Sequence, residues 1–172
     1  MRFSGTAYRA HDPRWSFKPL SGEGAAIRGA RFNPRGLAAL YLALDPMTAI
    51  KEANQGLANK INPCVICSYE VDCDHLADLR SEAGRLEAGA SEEILAAPWF
   101  SFLADRKEPP QWDLVRRLMR EGVAGVLVPS FVVGALPTDQ NLVLWDWSPV
   151  LPHKVAVFDP TGRLPKNQLS WE

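Results

Sequence analysis

Three residues whose types can bind oxygens, present a flat ring and brace a positive charge fall within a short stretch near the start of the chain: Arg31 in GARFNPRG, Tyr41 in ALYLALDP and Glu52 in TAIKE. An arginine presents a planar fork of donors that fits phosphate or ribose oxygens, which a lysine meets only as a point charge. A tyrosine offers a flat ring with a polar tip. A carboxylate can brace positive charge as it develops on a neighbouring carbon. Several other chemistries are excluded by residue type: there is no GxSxG elbow, no HExxH and no P-loop lysine. The glycines of SGEGAAIRG are wrongly spaced for a dinucleotide fingerprint and do not sit between a strand and a helix. Cys64, Cys67, Cys73 and His75 are close enough in sequence to suggest zinc. Cys64 to Cys67, however, lies in a run with strand character, where residues three apart point to opposite faces, so these cysteines read as core and no metal is expected.

The elements that must position these groups are legible in part. Thr6 to Ala10 reads as a first strand. The segment from Ser21 to Gly36, broken by Gly22, Gly24, Gly29, Pro34 and Gly36, reads as an irregular loop. Ala38 to Leu44 reads as a buried strand, with Leu40 and Leu42 on one face and Tyr41 and Ala43 on the other. Asp45 as N-cap and Pro46 at the first helical position start a helix through Thr48 and Glu52 toward Leu57. A strand is expected over Pro63 to Asp72 and a short helix over Ser91 to Ala97. After Pro109 and Pro110, QWDLVRRLMREG has apolar residues at helical spacing and stops at Gly122. VAGVLVPS and QNLVLWDW read as two strands joined by a loop carrying Gly134 and Pro137, KVAVFDP as a last strand, and TGRLPKNQLSWE as a surface arm or frayed end. This order favours a mixed α+β fold over a βαβ series.

The chain has 172 residues, 47% of them hydrophobic, and six tryptophans, enough for one sizeable core. With 19 Lys and Arg against 20 Asp and Glu the net charge is -1, and no basic run points to a nucleic acid. MRFSGTAYRAHDPRW has no apolar leader, no stretch is long enough for a membrane span, and three cysteines fit a reducing compartment. A cytoplasmic protein is expected.

The constellation of GARFNPRG, ALYLALDP and TAIKE, extended by Arg9, by Ser130 in VLVPS and by Asn141 in QNLVLW, resembles the RES domain family over roughly residues 6 to 147. The family is named for an arginine, a glutamate and a serine, here Arg31, Glu52 and Ser130. Its usual GRWN stands here as Ala30-Arg31-Phe32-Asn33, which keeps the arginine and an aromatic neighbour. The resemblance implies an ADP-ribosyltransferase-like, largely antiparallel split sheet with flanking helices. Residues 1–150 would form the NAD-binding catalytic domain, and 151–172 a final strand and C-terminal arm of the same domain.

The resemblance also implies a toxin silenced by a cognate antitoxin, one of whose segments would plug the cleft, and the consumption of NAD as substrate. Glu52 would hold the ribose hydroxyls as oxocarbenium character develops. Arg31 would clamp the dinucleotide with Arg9 as a second anchor, Tyr41 would stack on nicotinamide, and Phe32, Asn33, Ser130 and Asn141 would complete the pocket wall. ADP-ribose could pass to water, to phosphate or to a protein. Protein modification is preferred, with phosphoribosyl pyrophosphate synthetase, an enzyme of nucleotide biosynthesis, as a plausible target. Taken singly, each residue also has a structural reading: a solvated loop arginine, a glutamate serving its helix dipole, a core tyrosine, a serine ending a strand. A binding module that holds a nucleotide or partner without turnover is the competing reading.

Overall fold

The computed structural model describes residues 1–55 and 61–169. Seven strands form one sheet: β1 (Phe3–His11), β2 (Leu40–Ala43), β3 (Val65–Cys73), β4 (Leu76–Asp78), β5 (Gly125–Pro129), β6 (Gln140–Leu144) and β7 (His153–Val157), in the order β4-β5-β6-β2-β1-β3-β7. Every neighbouring pair is antiparallel except β4 with β5. The fold is therefore mixed α+β with a largely antiparallel sheet, as the order of elements predicted. β1 and β3 pair over nine residues, from Phe3↔Cys73 to His11↔Val65, yet β1 and β2 share a single register pair, Tyr8↔Ala43. The expected split in the sheet is this seam.

The alternation predicted for Leu40 to Ala43 sets up two cores. On one face Leu40 and Leu42 join Ala7, Tyr69, Leu142 and Leu144, covered by Leu20, Trp147 and Leu164, so the C-terminal arm packs behind the sheet at Leu164. Cys67 and Cys73 belong to this buried face, while Cys64 precedes β3. On the other face Val126, Val128 and Val143 meet Leu114, Val115 and Leu118 of a helix, α6 in chain order (Pro110–Arg120).

Asp45 caps the helix Pro46–Ala53 (α2) as its type and position predicted: one carboxylate oxygen accepts from the N–H groups of Met47 and Thr48. The expected run toward Leu57 ends outside the described residues. Between Ser21 and Gly36 the structure departs from the irregular loop: Glu23–Arg28 forms a short helix, α1, with Gly22 and Gly29 at its two ends and Gly24 inside it. Four residues from Ala25 to Arg28 without a breaker are enough for one turn once packed, and Gly29, at φ 68, reverses the chain where a Cβ would come within 2.9 Å of the Trp112 ring. Three more short helices follow the polar stretch after β4: α3 (Glu82–Glu87), α4 (Glu92–Ala96, capped by Ser91) and α5 (Trp99–Ala104). Among the described residues no helix is long and apolar enough to cross a membrane.

Candidate active site

The segment after Gly29 is held rigidly from outside. Trp112 on α6 donates its indole N–H to the Ala30 carbonyl at 2.8 Å, and Trp145, just past β6, donates to the Phe32 carbonyl at 2.7 Å. Between these two clamps stands Arg31. The Tyr41 hydroxyl accepts from the Phe32 N–H at 3.0 Å and donates to Asn33 Oδ1 at 2.8 Å. Fully buried Asn33 donates to the carbonyls of Ala25, Pro34 and Leu37. Every polar atom of its side chain is thereby engaged in folding the loop, and Asn33 does not line the cavity. The pocket-wall contact expected of Asn33 is corrected to a positioning role: a buried amide must satisfy its own hydrogen bonds before it can meet a ligand.

Beneath this loop, at the β1–β2 seam, lies a cavity of about 970 Å³, at the upper end of the roughly 300–1,000 Å³ usual for ligand sites. Arg31, Tyr41 and Glu52 all line it, one from the clamped loop, one from β2 and one from α2. Arg31 is fastened along one edge, its Nη1 donating to the carbonyls of Leu95 at 2.8 Å and Ala97 at 2.9 Å, with its guanidinium carbon 4.5 Å from the centre of the Phe131 ring. Buried Gln111 on α6 donates to the same two carbonyls. Burial pushes the Arg31 guanidinium below its ordinary value, and the charge of Glu52 opposes that shift. Burial likewise raises the Tyr41 phenol above its usual range, so its hydroxyl keeps its proton and its two loop contacts.

Glu52 is oriented from behind. Its Oε1 accepts from Ser130 Oγ at 2.6 Å and from Asn141 Nδ2. Its Oε2 receives no hydrogen bond from the described residues. Asn141 and Phe32 line the cavity, whereas Ser130 reaches it only through Glu52. Arg9 enters from the far side of the seam. It shares its face of β1 with Ala7 and His11, donates to the Ser21 carbonyl at 3.0 Å and lines the same hollow. Burial pushes its guanidinium below the ordinary value.

A network adjoining the cavity fixes α2. Asp139, almost fully buried, accepts from Lys51 Nζ at 2.7 Å, from Thr48 Oγ1 at 2.8 Å and from the Leu136 N–H at 2.7 Å. Its backbone carbonyl accepts from the Ser130 N–H at 2.8 Å. One residue thus anchors the helix that carries Glu52, and the strand end that carries the serine behind it. Sequence reading passed over Asp139, since its partner Thr48 lies 91 positions away. It also passed over Arg28 and Arg35, which bring the arginine residues along the cavity to four against one acidic residue, among the described residues. The basic residue in the last turn of α1 was the available signal, hidden by the loop assignment.

A model of the RES domain family matches residues 6–167. Among solved structures, the chain is similar to one in the crystal structure of the M. tuberculosis MbcT–MbcA toxin–antitoxin complex, with 22% sequence identity and a TM-score of 0.59 over 92% of this chain and 84% of that one. At that identity the likeness speaks for the fold. No curated protein matches the chain. The family match begins in β1, ends in the arm behind the sheet and takes in every residue that lines the cavity, so the chain belongs to the RES domain family.

Proposed function

We propose that this chain is the toxin of a toxin–antitoxin pair and that it cleaves NAD between nicotinamide and ribose, passing ADP-ribose to a protein. The observation that carries this reading is the convergence of Arg31, Tyr41 and Glu52, from three elements, on one cavity with four arginines and a single carboxylate. That charge balance suits a doubly negative pyrophosphate, and the lone carboxylate suits the sugar.

Arg31 is fastened along its Nη1 edge, which leaves the other edge of the fork for phosphate or ribose oxygens. Glu52 is fastened at Oε1, which leaves Oε2 to accept from a ribose hydroxyl. As the glycosidic bond breaks, nicotinamide departs as a neutral base with the bonding electron pair, and positive charge appears on the ribose. The Glu52 carboxylate holds the hydroxyls more tightly at that moment, which is where catalysis gains. The acceptor then adds its lone pair to the anomeric carbon and loses its proton to solvent. The Tyr41 ring walls the hollow, and its hydroxyl stays bound to the loop. Support for a protein partner comes from the similar fold of a chain crystallised in a toxin–antitoxin complex. An antitoxin segment in the cavity mouth would compete with NAD.

Incubating the purified protein with adenylate-labelled NAD, alone and with cell extract, tests the reading. The expected result is free nicotinamide and labelled protein, an enzyme of nucleotide biosynthesis such as phosphoribosyl pyrophosphate synthetase among the bands. Free ADP-ribose or its phosphate ester as sole product would reassign the acceptor to water or phosphate, and no nicotinamide under any condition would leave a binding module. Arg31→Lys is expected to lower kcat/KM for NAD about 10- to 100-fold, because one ammonium cannot hold two carbonyls, lie on Phe131 and grip substrate together; a hydrogen bond to a charged group is worth roughly 1.5–3 kcal/mol. Steady-state kinetics within two-fold of the parent would remove Arg31 from the site.

A further inference from the structure

Two aromatic side chains in the cavity have no part in the chemistry above. Trp99 and Phe100 open α5, meet edge to face with ring centroids 5.8 Å apart, and both line the hollow. Trp99 is half-buried, whereas Phe100 leaves 72% of its surface in solvent. A phenylalanine so exposed contributes little to the fold and has most of its apolar area still to cover.

Arg31 fixes where this pair sits along the cavity. Its Nη1 donates to the carbonyl of Ala97, two residues before Trp99, and the arginine lines the same cavity as Glu52. The arginine therefore shares the hollow with the carboxylate and is tied to the chain just before α5. A dinucleotide with its nicotinamide ribose at Glu52 and its pyrophosphate at Arg31 extends its second nucleoside toward the two aromatic rings. A purine has the flat, polarizable face that such rings stack on best, and it needs no further polar partner there.

We infer that Trp99 and Phe100 form the adenine subsite of this cavity. The placement rests on the proposed action on NAD, since that reading sets which end of the ligand lies at Glu52. Both variants and two kinds of ligand test it. Calorimetric titration with AMP, which has no scissile bond, is expected to show about ten-fold weaker binding to Phe100→Ala and to Trp99→Ala than to the parent, with Phe100→Trp restoring it. In turnover, the preference for NAD over nicotinamide mononucleotide, which lacks the adenylate half, is expected to fall about ten-fold in Phe100→Ala, through KM for NAD. Equal loss on both substrates, or AMP affinity and KM unchanged in Phe100→Ala, would overturn the subsite. If the parent cleaves neither substrate yet binds AMP in a Phe100-dependent manner, the proposed reaction fails and the base site stands.

Discussion

Glu52→Gln is expected to lower nicotinamide release from NAD by about 10²–10³-fold in kcat, the usual loss when a group aimed at developing charge is removed. The substitution is nearly isosteric. Ser130 Oγ and Asn141 Nδ2 both donate to Oε1, and an amide oxygen can accept from both, so the side chain stays where it is. What changes is the other atom: an uncharged NH₂ replaces the oxygen to which neither Ser130 nor Asn141 donates. The ribose then gains no partner as it becomes positive, while the ground state binds almost as before, so kcat falls and KM stays within a few-fold. The thermal midpoint is expected to hold within about 2 °C, because no core contact is lost. Single-turnover assays of nicotinamide release, beside a melting curve, check both halves, and release within ten-fold of the parent would relieve Glu52 of its role.

The second large effect falls on stability. Asp139→Ala leaves the Lys51 ammonium, the Thr48 hydroxyl and the Leu136 N–H without their partner, at a position 5% exposed. Stranding the buried Thr48 hydroxyl and two part-exposed donors, one of them charged, costs about 2–4 kcal/mol. For a domain of this size that corresponds to a fall of roughly 6–12 °C in Tm. Activity should fall as well at temperatures where the protein remains folded, because α2 loses the tether next to Glu52. The same residue gives the stability a pH dependence. Hydrogen bonds from Lys51 first, then from the Leu136 N–H and Thr48, hold the Asp139 carboxyl at about 2, down from 3.8. Its folded value is thus below its unfolded one, and the unfolded chain binds the extra proton between them. The contribution is complete above about pH 5 and is lost as pH falls toward 2. Denaturant titrations of the parent and Asp139→Asn should differ most near neutrality and converge near pH 2, and curves that stay parallel throughout would separate Asp139 from this linkage.

How much of this was legible beforehand depended on whether the cause was local. The Asp45–Pro46 start, the Leu40 to Ala43 alternation and the amphipathic run after Pro110 each act within a few residues, and each produced its element. Glu52 could be placed on α2 for the same reason. α1, α3 and α5 are six residues each, too short to form without tertiary contacts, so no periodicity announced them. With them went Arg28, Trp99 and Phe100. Asn33 was misassigned because an asparagine in a loop reads the same whether it faces a ligand or its own backbone. What decides between these is the fold of the loop, which gathers the carbonyls of Ala25, Pro34 and Leu37 around the Asn33 amide and is itself clamped by Trp112 and Trp145 from far along the chain. Asp139 had no local signature at all.

The lone rung between β1 and β2 has a mechanical meaning. Parting β1 from β3 would break nine consecutive pairings, whereas parting β1 from β2 disturbs one, worth about 1 kcal/mol. Counted in pairings that line is the weakest in the sheet, and the buried cluster that Ala7 shares with Leu40 and Leu42 is what holds the two blocks of strands together across it.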